Sequence, residues 1–384
     1  MTTTTAFTNG RVLTERGFER DISVIVEDGH IVAVLPGEPA KDAQTIDLDG
    51  GYLVPGFIDT QVNGGGDVLF NDAAHAHDGG VDGLRRIAAA HRKFGTTGLM
   101  PTLISDDIAV MQRAIEATRE AIAQGVPGIL GIHLEGPYLA EARKGVHDPH
   151  KFHTPDASEL DLVASLGVGR TMVTLAPERF SPDTLRALAA RGVRVCAGHT
   201  AATYEQLRDA FAAGVCGVTH LFNAMTPLGS REPGAVGAAL VDPNSWCGLI
   251  VDGYHVHDAA LRVAIAAKPR GKMMLVTDAM PPVGGTHEDF ALYGVTMTCR
   301  DGKCTTADGT LAGSALDMAS AVRNTVKLGL PLEEACRMAS AYPAEFLGLG
   351  SELGRIAPGY RADLVLLDAG LRVQESWISG LGTA

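Results

Sequence analysis

Cysteine is scarce in this sequence, and the few cysteines have no motif spacing. Of the 384 residues, 6 are cysteine, and no two of them form a Cys-x-x-Cys pair. Zinc knuckles and dithiol redox centres are usually built on such pairs. We therefore expect buried, reduced thiols rather than disulfides, and the cysteines indicate no particular chemistry.

Long apolar runs are missing as well. No segment reaches the roughly 18 consecutive apolar residues that suggest a membrane-spanning helix. The opening string MTTTTAFTNG lacks the basic stretch and apolar core of a secretion signal. These absences predict a cytoplasmic protein without a membrane partner.

Basic side chains are outnumbered by acidic ones. The chain has 32 lysines and arginines against 45 aspartates and glutamates, which gives a formal net charge of −13. Such a charge repels polyanions and argues against a nucleic-acid partner. A small anionic substrate is compatible with it if arginine, histidine or backbone N–H groups reverse the field at one site. Hydrophobic residues at 46% and charged residues at 20% are otherwise typical of a globular enzyme.

The sequence does contain a regular alternation of short apolar runs and helical stretches. This alternation is typical of parallel strands joined by crossover helices. Eight such units over about 300 residues predict an α/β fold, a (β/α)8 TIM-like barrel. The predicted strands are Leu53–Ile58, Thr97–Ile104, Ile129–Leu134, Thr171–Leu175, Val193–Ala197, Gly217–Leu221, Gly248–Val251 and Lys272–Thr277. The predicted helices include Val81–Phe94, Ile108–Ala123, Pro182–Ala190, Glu205–Ala213 and Ala259–Ala267.

The two ends of the chain predict a second, smaller unit. Ile22–Val26 and Ile31–Leu35 flank an Asp-Gly pair, which is a strong hairpin signal. Gly359–Asp368, near the other end, has similar strand character. We expect a small β-sandwich domain formed by residues 1–54 and 355–384, and a barrel at residues 55–354.

Two connections are longer than a barrel requires. Gly136–His153 is polar and punctuated by glycine and proline, as a substrate loop would be. Pro281–Gly313 contains the strand-like Val295–Cys299 followed by a second Asp-Gly pair, which predicts a hairpin. Both connections follow the carboxyl ends of predicted strands, where barrel enzymes build their active sites.

Polar side chains follow six of the eight predicted strands. A purely structural distribution would scatter them along the strands, and a single histidine there would more often be a hydrogen-bonded core residue. Because the carboxyl ends of barrel strands meet at one mouth, the set predicts one site. Its members are Asp59, Gln61, Asn63, Glu135, His199, His220, His255 and Asp278.

Three of these side chains form a metal-binding set. Glu135, His199 and His220 offer one carboxylate and two imidazoles, a combination that suits catalytic zinc or iron and leaves positions open for water and substrate. Such an ion can lower the pKa of a bound water to roughly 7. Asp278 would then act as general base and later as general acid, rather than as a helix N-cap, because Ala-Met-Pro-Pro follows it.

Nine strings of the sequence form recognisable motifs. Three of them are PGFID at Pro55–Asp59, TDAM at Thr277–Met280, and GRIAPG with ADLV in Gly354–Val365. The other six are QVNGGG at Gln61–Gly66, HLEGPY at His133–Tyr138, KGVH at Lys144–His147, AGHT at Ala197–Thr200, THLFNAM at Thr219–Met225 and LAGS at Leu311–Ser314. The first three resemble the amidohydrolase superfamily. The other six, spread over the chain, resemble within it the N-acetylglucosamine-6-phosphate deacetylases.

This resemblance implies an activity and its catalytic residues. The family hydrolyses the acetamide of N-acetyl-D-glucosamine 6-phosphate to D-glucosamine 6-phosphate and acetate, in amino-sugar catabolism and cell-wall recycling. By resemblance, Glu135, His199 and His220 bind the metal and Asp278 is the acid/base. His147 would hydrogen-bond the substrate near its acetamide carbonyl and stabilise the developing oxyanion. Without the surrounding motif, His147 would be interpreted as a solvated loop histidine.

The resemblance also implies a substrate-binding set. The sugar phosphate is expected at Arg231, His255 and the backbone N–H groups of Asn223 and Ala224, which supply the local positive field that the net charge requires. In the family this arginine can come from a neighbouring subunit, which implies a homodimer. The remaining substrate-binding residues implied are Gln61, Asn63, Val146, His147, Leu311, Ala312 and Gly313.

Gln61 and Asn63 depart from the superfamily pattern. Most members have His-x-His at this point of the first strand, and these two imidazoles hold a second metal. An amide is a poorer ligand than an imidazole, because its nitrogen lone pair is delocalised. We therefore expect one divalent metal ion per subunit, with zinc as the first choice and iron, manganese or cobalt as alternatives.

Three alternative functions stay open. The first is deacetylation of the epimer N-acetylgalactosamine 6-phosphate, which differs at one hydroxyl. The second is cyclic-amide hydrolysis of the dihydroorotase kind, although that chemistry uses a carboxylated lysine and no predicted strand offers one in a suitable place. The third is a barrel that has lost catalysis and serves as a binding protein. Such a protein should lack a metal ligand or the acid/base, and none is missing.

Overall fold

The computed structural model of the chain describes residues 4–37, 43–76 and 80–383. Its first ten strands are β1 (Thr5–Thr8), β2 (Arg11–Thr14), β3 (Gly17–Glu19), β4 (Ile22–Glu27), β5 (His30–Pro36), β6 (Gln44–Asp47), β7 (Tyr52–Pro55), β8 (Phe57–Val62), β9 (Gly64–Gly65) and β10 (Val68–Leu69). The others are β11 (Thr96–Ile104), β12 (Gly131–Glu135), β13 (Arg170–Leu175), β14 (Arg194–Ala197), β15 (Gly217–Val218), β16 (Trp246–Leu249), β17 (Met273–Leu275), β18 (Asp289–Leu292), β19 (Val295–Arg300), β20 (Lys303–Thr305), β21 (Leu311–Ser314), β22 (Leu364–Leu367), β23 (Val373–Ile378) and β24 (Leu381–Gly382).

The α-helices lie mainly between the strands of the central sheet. They are α1 (Phe70–His75), α2 (Val81–Arg92), α3 (Ile108–Ala123), α4 (Ala157–Val163), α5 (Pro182–Ala190), α6 (Tyr204–Ala212), α7 (Gly234–Val241), α8 (Asp258–Ala267), α9 (Met318–Lys327), α10 (Leu332–Ala339) and α11 (Ala341–Phe346). Within the described ranges, no helix has the length and apolar character needed to cross a membrane.

Eight parallel strands form a nearly closed barrel, as the sequence predicts. Their order is β8, β11, β12, β13, β14, β15, β16 and β17, so each strand pairs with the next one along the barrel. The two ends of this sheet meet through backbone hydrogen bonds. Asp278 N donates to Gln61 O at 3.0 Å, and Asn63 N donates to Ala279 O at 2.9 Å. These bonds join the first and last strands next to the residues that are candidates for catalysis.

The barrel helices have the expected amphipathic pattern. In α3, Val110, Met111, Ala114 and Ile115 are buried, a spacing that places them on one helix face. Three of the barrel strands, β8, β11 and β12, are buried along their whole length. Strands covered on both sides have continuous apolar runs, which explains why these segments could be recognised in the sequence.

One predicted strand is divided differently in the structure. The run Leu53–Ile58 was expected to be the first barrel strand, which is confirmed for Phe57 and Ile58 and wrong for Leu53–Pro55. Its first part belongs to β7 in the terminal sheet, and the barrel begins at Phe57 in β8. A Cβ added at Gly56 would lie 2.0 Å from Thr97 Oγ1, so the chain passes between the two sheets at a point where a glycine fits. Both sides of this junction are apolar, which conceals it in the sequence.

The terminal segments form two further sheets that pack on each other. One has the order β5-β4-β1-β6 and the other β24-β23-β22-β7-β2-β3. The predicted hairpin is β4 and β5, and the C-terminal strand β22 pairs with β7 of the N-terminal segment. Phe7 and Trp377 meet in the core between the sheets, with ring centroids 4.9 Å apart. The division of the chain into domains at residues 54/55 and 354/355 stays a prediction.

The second long connection carries the predicted hairpin. Strands β18 to β21 form an antiparallel sheet in sequence order, and β19 and β20 flank the Asp301-Gly302 turn. Cys299 and Cys304 lie opposite each other on these two strands and form a disulfide. The expectation that all thiols are reduced is therefore wrong at this pair, because strand pairing brings together cysteines that have no motif spacing. Cys196, Cys216, Cys247 and Cys336 are free.

Candidate metal centre and active site

Three predicted metal ligands converge at the mouth of the barrel. Glu135 Oε1 lies 3.0 Å from His220 Nε2 and 3.4 Å from His199 Nε2, and the two imidazole nitrogens are 3.1 Å apart. All three side chains are buried. One ligand atom from each residue lies within 4.8 Å of the others, so the group could hold a metal ion. A carboxylate and two imidazole nitrogens are the donor set of many catalytic zinc and iron sites.

The hydrogen bonds of the two histidines fit this role. His199 Nδ1 is 2.8 Å from the backbone oxygen of Arg143, and a carbonyl oxygen can accept but cannot donate. Nδ1 therefore carries the proton, and the lone pair of Nε2 is available for a cation. His220 Nδ1 is buried and has no hydrogen-bond partner among the described residues. No contact at Nδ1 therefore fixes which ring nitrogen of His220 carries the proton, and a cation bound at Nε2 would place the proton on Nδ1.

The electrostatics of Glu135 also favour a cation. Although burial opposes ionisation, the neighbouring imidazoles of His199 and His220 hold the pKa of this carboxyl well below its usual range. Glu135 is therefore a carboxylate in a site that excludes bulk water. A buried negative charge needs a positive partner, which the two imidazoles or a bound metal ion supply.

Three site residues have an unusual backbone conformation. His199, His220 and Asp278 have φ angles of 46°, 32° and 54°, in the left-handed region that residues with a side chain seldom adopt. Each residue follows a barrel strand, and strained backbone is concentrated at functional sites more often than elsewhere. No helix begins at Asp278 in the described chain, so this carboxylate is not a helix cap.

Gln61 and Asn63 act as hydrogen-bond donors in the site. Gln61 Nε2 donates to Glu135 Oε1 and to Asp278 Oδ1, both at 3.1 Å, and Asn63 Nδ2 donates to Asp278 Oδ1 at 2.6 Å. The two amides thus connect the metal-binding carboxylate with the candidate acid/base. Burial and the negative charge of Glu135 raise the pKa of Asp278 above its ordinary value.

Asp59 has a structural position beneath the site. Its Oδ2 accepts a hydrogen bond from Thr277 Oγ1 at 2.5 Å, and its Oδ1 accepts one from Gln61 N at 3.1 Å. Burial raises the pKa of this carboxyl to about 7. Because Asp59, within β8, is bonded to Thr277, the residue before Asp278, it holds the two sides of the barrel seam together.

His147 comes from the long loop after β12 and lies against the metal-binding set. Its ring centroid is 4.5 Å from that of His199, and the residue is 3% exposed. Its Nδ1 is held by Ser105, from Oγ at 2.8 Å and from the backbone N at 3.3 Å. Burial and the neighbouring His199 lower the pKa of His147 to about 3, so the ring is neutral at physiological pH.

Asp252 orients His255. The carboxylate Oδ2 is 2.6 Å from His255 Nδ1, and Oδ1 accepts the backbone N–H of His255 at 2.9 Å. This pairing directs the other ring nitrogen of His255 toward the pocket that His255 lines. Tyr254, the residue before His255, donates its hydroxyl to Asp301 O at 2.7 Å and so connects the loop to the inserted hairpin.

A pocket of about 230 Å³ opens above these groups. Most of the predicted site residues line it, namely Asn63, Glu135, Val146, His147, His199, His220, Asn223, Ala224, His255, Asp278, Leu311 and Gly313. Three of the residues implied to bind substrate do not, and neither does Asp59. Gln61 lies behind the carboxylates, Ala312 is fully buried in the inserted sheet, and Arg231 is exposed in the loop before α7.

Sequence reasoning missed several lining residues. Ile104, Gly145, Met280 and Thr310 also line the pocket. Three of them lie inside or beside motifs already recognised, so adjacency was a usable signal. Ile104 ends the second barrel strand and is apolar, so its residue type gives no sign of a functional role.

Comparison with known proteins places these observations in a family. The profile of the amidohydrolase family matches residues 52–381. The N-acetylgalactosamine-6-phosphate deacetylase of Shewanella sp. (strain ANA-3) is 43% identical over 379 residues, covering 96% of this chain and 93% of that protein. The N-acetylglucosamine-6-phosphate deacetylase of Haemophilus influenzae is 35% identical, with 98% of each chain covered.

A solved structure is similar over the whole chain. It is the crystal structure of N-acetylglucosamine-6-phosphate deacetylase from Pasteurella multocida, with a TM-score of 0.94 and 34% sequence identity. The match covers 99% of this chain and 100% of that one. The barrel and the two terminal sheets therefore occur together in a solved relative.

Proposed function

The chain belongs to the amidohydrolase family, and on that basis we propose that it removes the acetyl group of N-acetyl-D-glucosamine 6-phosphate, giving D-glucosamine 6-phosphate and acetate. The observation that carries the proposal is the convergence of Glu135, His199 and His220 beside Asp278 and His147 in one pocket. The 35% identical relative from Haemophilus influenzae and the solved Pasteurella multocida structure, both named for this activity, support it. A role in amino-sugar catabolism follows from the reaction, and a cytoplasmic location stays a prediction.

The metal requirement is proposed from the ligand set. We propose one divalent ion per subunit, bound by Glu135, His199 and His220, with zinc as the first choice. Such an ion polarises the attacking water and the amide carbonyl. Gln61 and Asn63 direct amide N–H groups at the two carboxylates, and their amides are poorer ligands for a second cation than a pair of imidazoles would be.

The protein side chains would move the protons. Asp278 accepts both amide donors on Oδ1, which leaves Oδ2 for the proton of the attacking water. Attack of the water oxygen on the amide carbon would form the new C–O bond and give a tetrahedral intermediate, whose oxyanion would receive a hydrogen bond from His147. Asp278 then returns the proton to the sugar nitrogen, the C–N bond breaks, and acetate and the free amine leave. The raised pKa of Asp278 suits a group that must both accept and donate.

A second candidate substrate is the galacto epimer. The relative from Shewanella sp., which is named for N-acetylgalactosamine 6-phosphate, is 43% identical, against 35% for the Haemophilus influenzae relative. The two sugars differ in the orientation of one hydroxyl, so the same metal, acid/base and acetamide contacts serve both. Discrimination would depend on a hydrogen bond to that hydroxyl.

Acetate release from the two sugar phosphates tests the proposal. We expect metal-loaded protein to release one acetate per free amine from N-acetylglucosamine 6-phosphate, with the unphosphorylated sugar as a poor substrate at the same concentration. The measurement is kcat/KM for both epimers. A value about tenfold or more higher for the galacto epimer would transfer the assignment to the second candidate. No acetate from either sugar phosphate would contradict the deacetylase proposal.

The phosphate would bind at the far end of the pocket. His255, oriented by Asp252, lines the pocket together with Asn223 and Ala224. The backbone N–H of Asn223 donates to His220 O at 3.0 Å, so the backbone N–H of Ala224 would be the main amide donor to the phosphate. Arg231 is exposed and does not line the pocket of the subunit to which it belongs. We therefore propose a homodimer in which Arg231 of one subunit reaches the phosphate in its neighbour, as the resemblance implies.

Arg231→Ala tests this arrangement. We expect a roughly tenfold higher KM with little change in kcat, because a charge-assisted contact to the phosphate is lost far from the reacting amide. Arg208→Ala, which removes an exposed arginine paired with Asp209, is the control. Mixed dimers of Arg231→Ala and Asp278→Asn subunits should regain a low KM in half of their sites. A protein that is monomeric while active, or mixed dimers without recovery, would contradict the shared site.

A further inference from the structure

The position of the proton on His147 can be worked out from its neighbours. A neutral imidazole carries one proton, either on Nδ1 or on Nε2. Ser105 Oγ lies 2.8 Å from Nδ1, but a hydroxyl can donate or accept, so this contact alone decides nothing. The backbone N of Ser105 lies 3.3 Å from the same Nδ1, and an amide N–H can only donate. Nδ1 must therefore be the acceptor, and the proton is on Nε2.

The location of Ser105 is closely restricted. It directly follows β11 and is 1% exposed. A Cβ added at Gly136 would lie 2.2 Å from Ser105 Oγ, so the residue after Glu135 leaves just enough room for the hydroxyl. Gly136 has a φ angle of 89°, which glycine adopts without strain. The serine hydroxyl is thus confined between the end of β12 and the His147 ring.

A second contact restrains Ser105 from the opposite side. Tyr293, in the turn between β18 and β19 of the inserted sheet, donates its hydroxyl to the backbone oxygen of Ser105. Leu292 and Met297 of the same insertion pack in a small core with Ile104, the residue before Ser105. The inserted sheet therefore contacts the end of β11 and Ser105, the residue that is hydrogen-bonded to His147.

We propose that Ser105 is a positioning residue that keeps His147 in the tautomer with the proton on Nε2, and that Tyr293 fixes Ser105 for this purpose. In that tautomer His147 presents an N–H donor to the pocket. In the other tautomer it would present a lone pair, which repels a carbonyl oxygen and the oxyanion formed from it. The significance of this donor rests on the proposed deacetylation, whereas the tautomer itself does not.

Nitrogen-15 NMR of the histidine rings provides the test. Zinc-loaded protein with labelled histidine would be compared with the Ser105→Ala and Tyr293→Phe variants, and the His147 signals would be identified from a His147→Gln sample. We expect a protonated Nε2 and an unprotonated Nδ1 in the wild type. In Ser105→Ala the backbone N–H at 3.3 Å is the one Ser105 donor left at Nδ1, so we expect the tautomer with the proton on Nε2 to remain the major form and the other tautomer to become detectable beside it. Tyr293→Phe should shift the population in the same direction by less.

Turnover should follow the tautomer. We expect Ser105→Ala to lower kcat about tenfold with KM changed less than about twofold, since one buried hydrogen bond acts mainly in the transition state. In a His147→Gln background, Ser105→Ala should have almost no further effect, because coupled residues are not additive. Ser340→Ala and Tyr360→Phe are the controls. Each removes a hydroxyl that donates to a backbone oxygen away from the site, at Cys336 and Gly350 respectively.

The outcomes separate the two proposals. An unchanged His147 tautomer in Ser105→Ala, or a loss of kcat that adds fully to that of His147→Gln, would overturn the positioning role. If the wild type released no acetate from either sugar phosphate, the deacetylase proposal would fail, and the ring signals would still decide whether Ser105 fixes the tautomer. If both Ser105→Ala and Tyr293→Phe melted early, a wild-type spectrum with the proton on Nδ1 would still contradict the inference.

Discussion

Replacement of Asp278 by asparagine is expected to reduce kcat by about 10³-fold while leaving metal content and KM almost unchanged. The asparagine oxygen can still accept the amide donors of Gln61 and Asn63, which bind the carboxylate at 3.1 and 2.6 Å. The side chain would then turn its NH2 group toward the pocket. An amide nitrogen cannot take a proton from water at neutral pH, so attack and leaving-group protonation both lose their catalyst.

Three measurements check this expectation. They are metal content, substrate affinity in the absence of turnover, and the rate of acetate release. Asp363→Asn is the control, because Asp363 is also buried and paired but lies beside Arg361, in the terminal sheets. An Asp278→Asn protein that bound metal and turned over substrate at a near-normal rate would show that another group moves the protons.

The fold could be predicted from the sequence because barrel strands are covered on both faces. β11 and β12 are buried along their length, so their apolar runs stand out from the amphipathic helices between them. The junction at Gly56 could not be predicted, because the strands on its two sides are equally apolar and belong to different sheets. What separates them is the close approach of Thr97, which is a tertiary contact.

The site likewise contains residues that the sequence could predict and features that depend on tertiary contacts. Glu135, His199, His220 and Asp278 could be located because polar groups at the ends of buried strands have few structural explanations. The metal-binding set could therefore be proposed without coordinates. The Cys299–Cys304 pair could not, since it depends on the register of β19 and β20.

The partners of these residues were harder to find. Ser105 follows a barrel strand, but a single serine carries no signal until the loop after β12 brings His147 within 2.8 Å of it. Gln61 was expected to contact substrate. It lies instead behind the pocket and donates to Glu135 and Asp278, since its position on the first strand directs it between the two carboxylates.

Replacement of Glu135 by glutamine should remove the metal and with it essentially all activity. Glu135 is the one charged ligand of the proposed set, and its pKa is held well below the usual range, although burial opposes this, by His199 and His220. A neutral amide binds divalent cations weakly and would leave two imidazoles to hold the ion. We expect a loss of turnover of about 10³-fold or more, because a bound cation contributes several kcal/mol to amide hydrolysis.

The measurement compares metal-stripped wild type with the variant as single metals are restored. The wild type should bind one ion per subunit and regain acetate release, whereas Glu135→Gln should do neither at the same metal concentration. Glu159→Gln is the control, because Glu159 also pairs with an imidazole, that of His153 at 2.9 Å, but outside the pocket. If Glu135→Gln kept a stoichiometric ion and turned over substrate, the metal would have to be bound elsewhere. If the wild type bound two ions tightly, the amide pair of Gln61 and Asn63 would not exclude a second metal, and the one-metal site would be wrong.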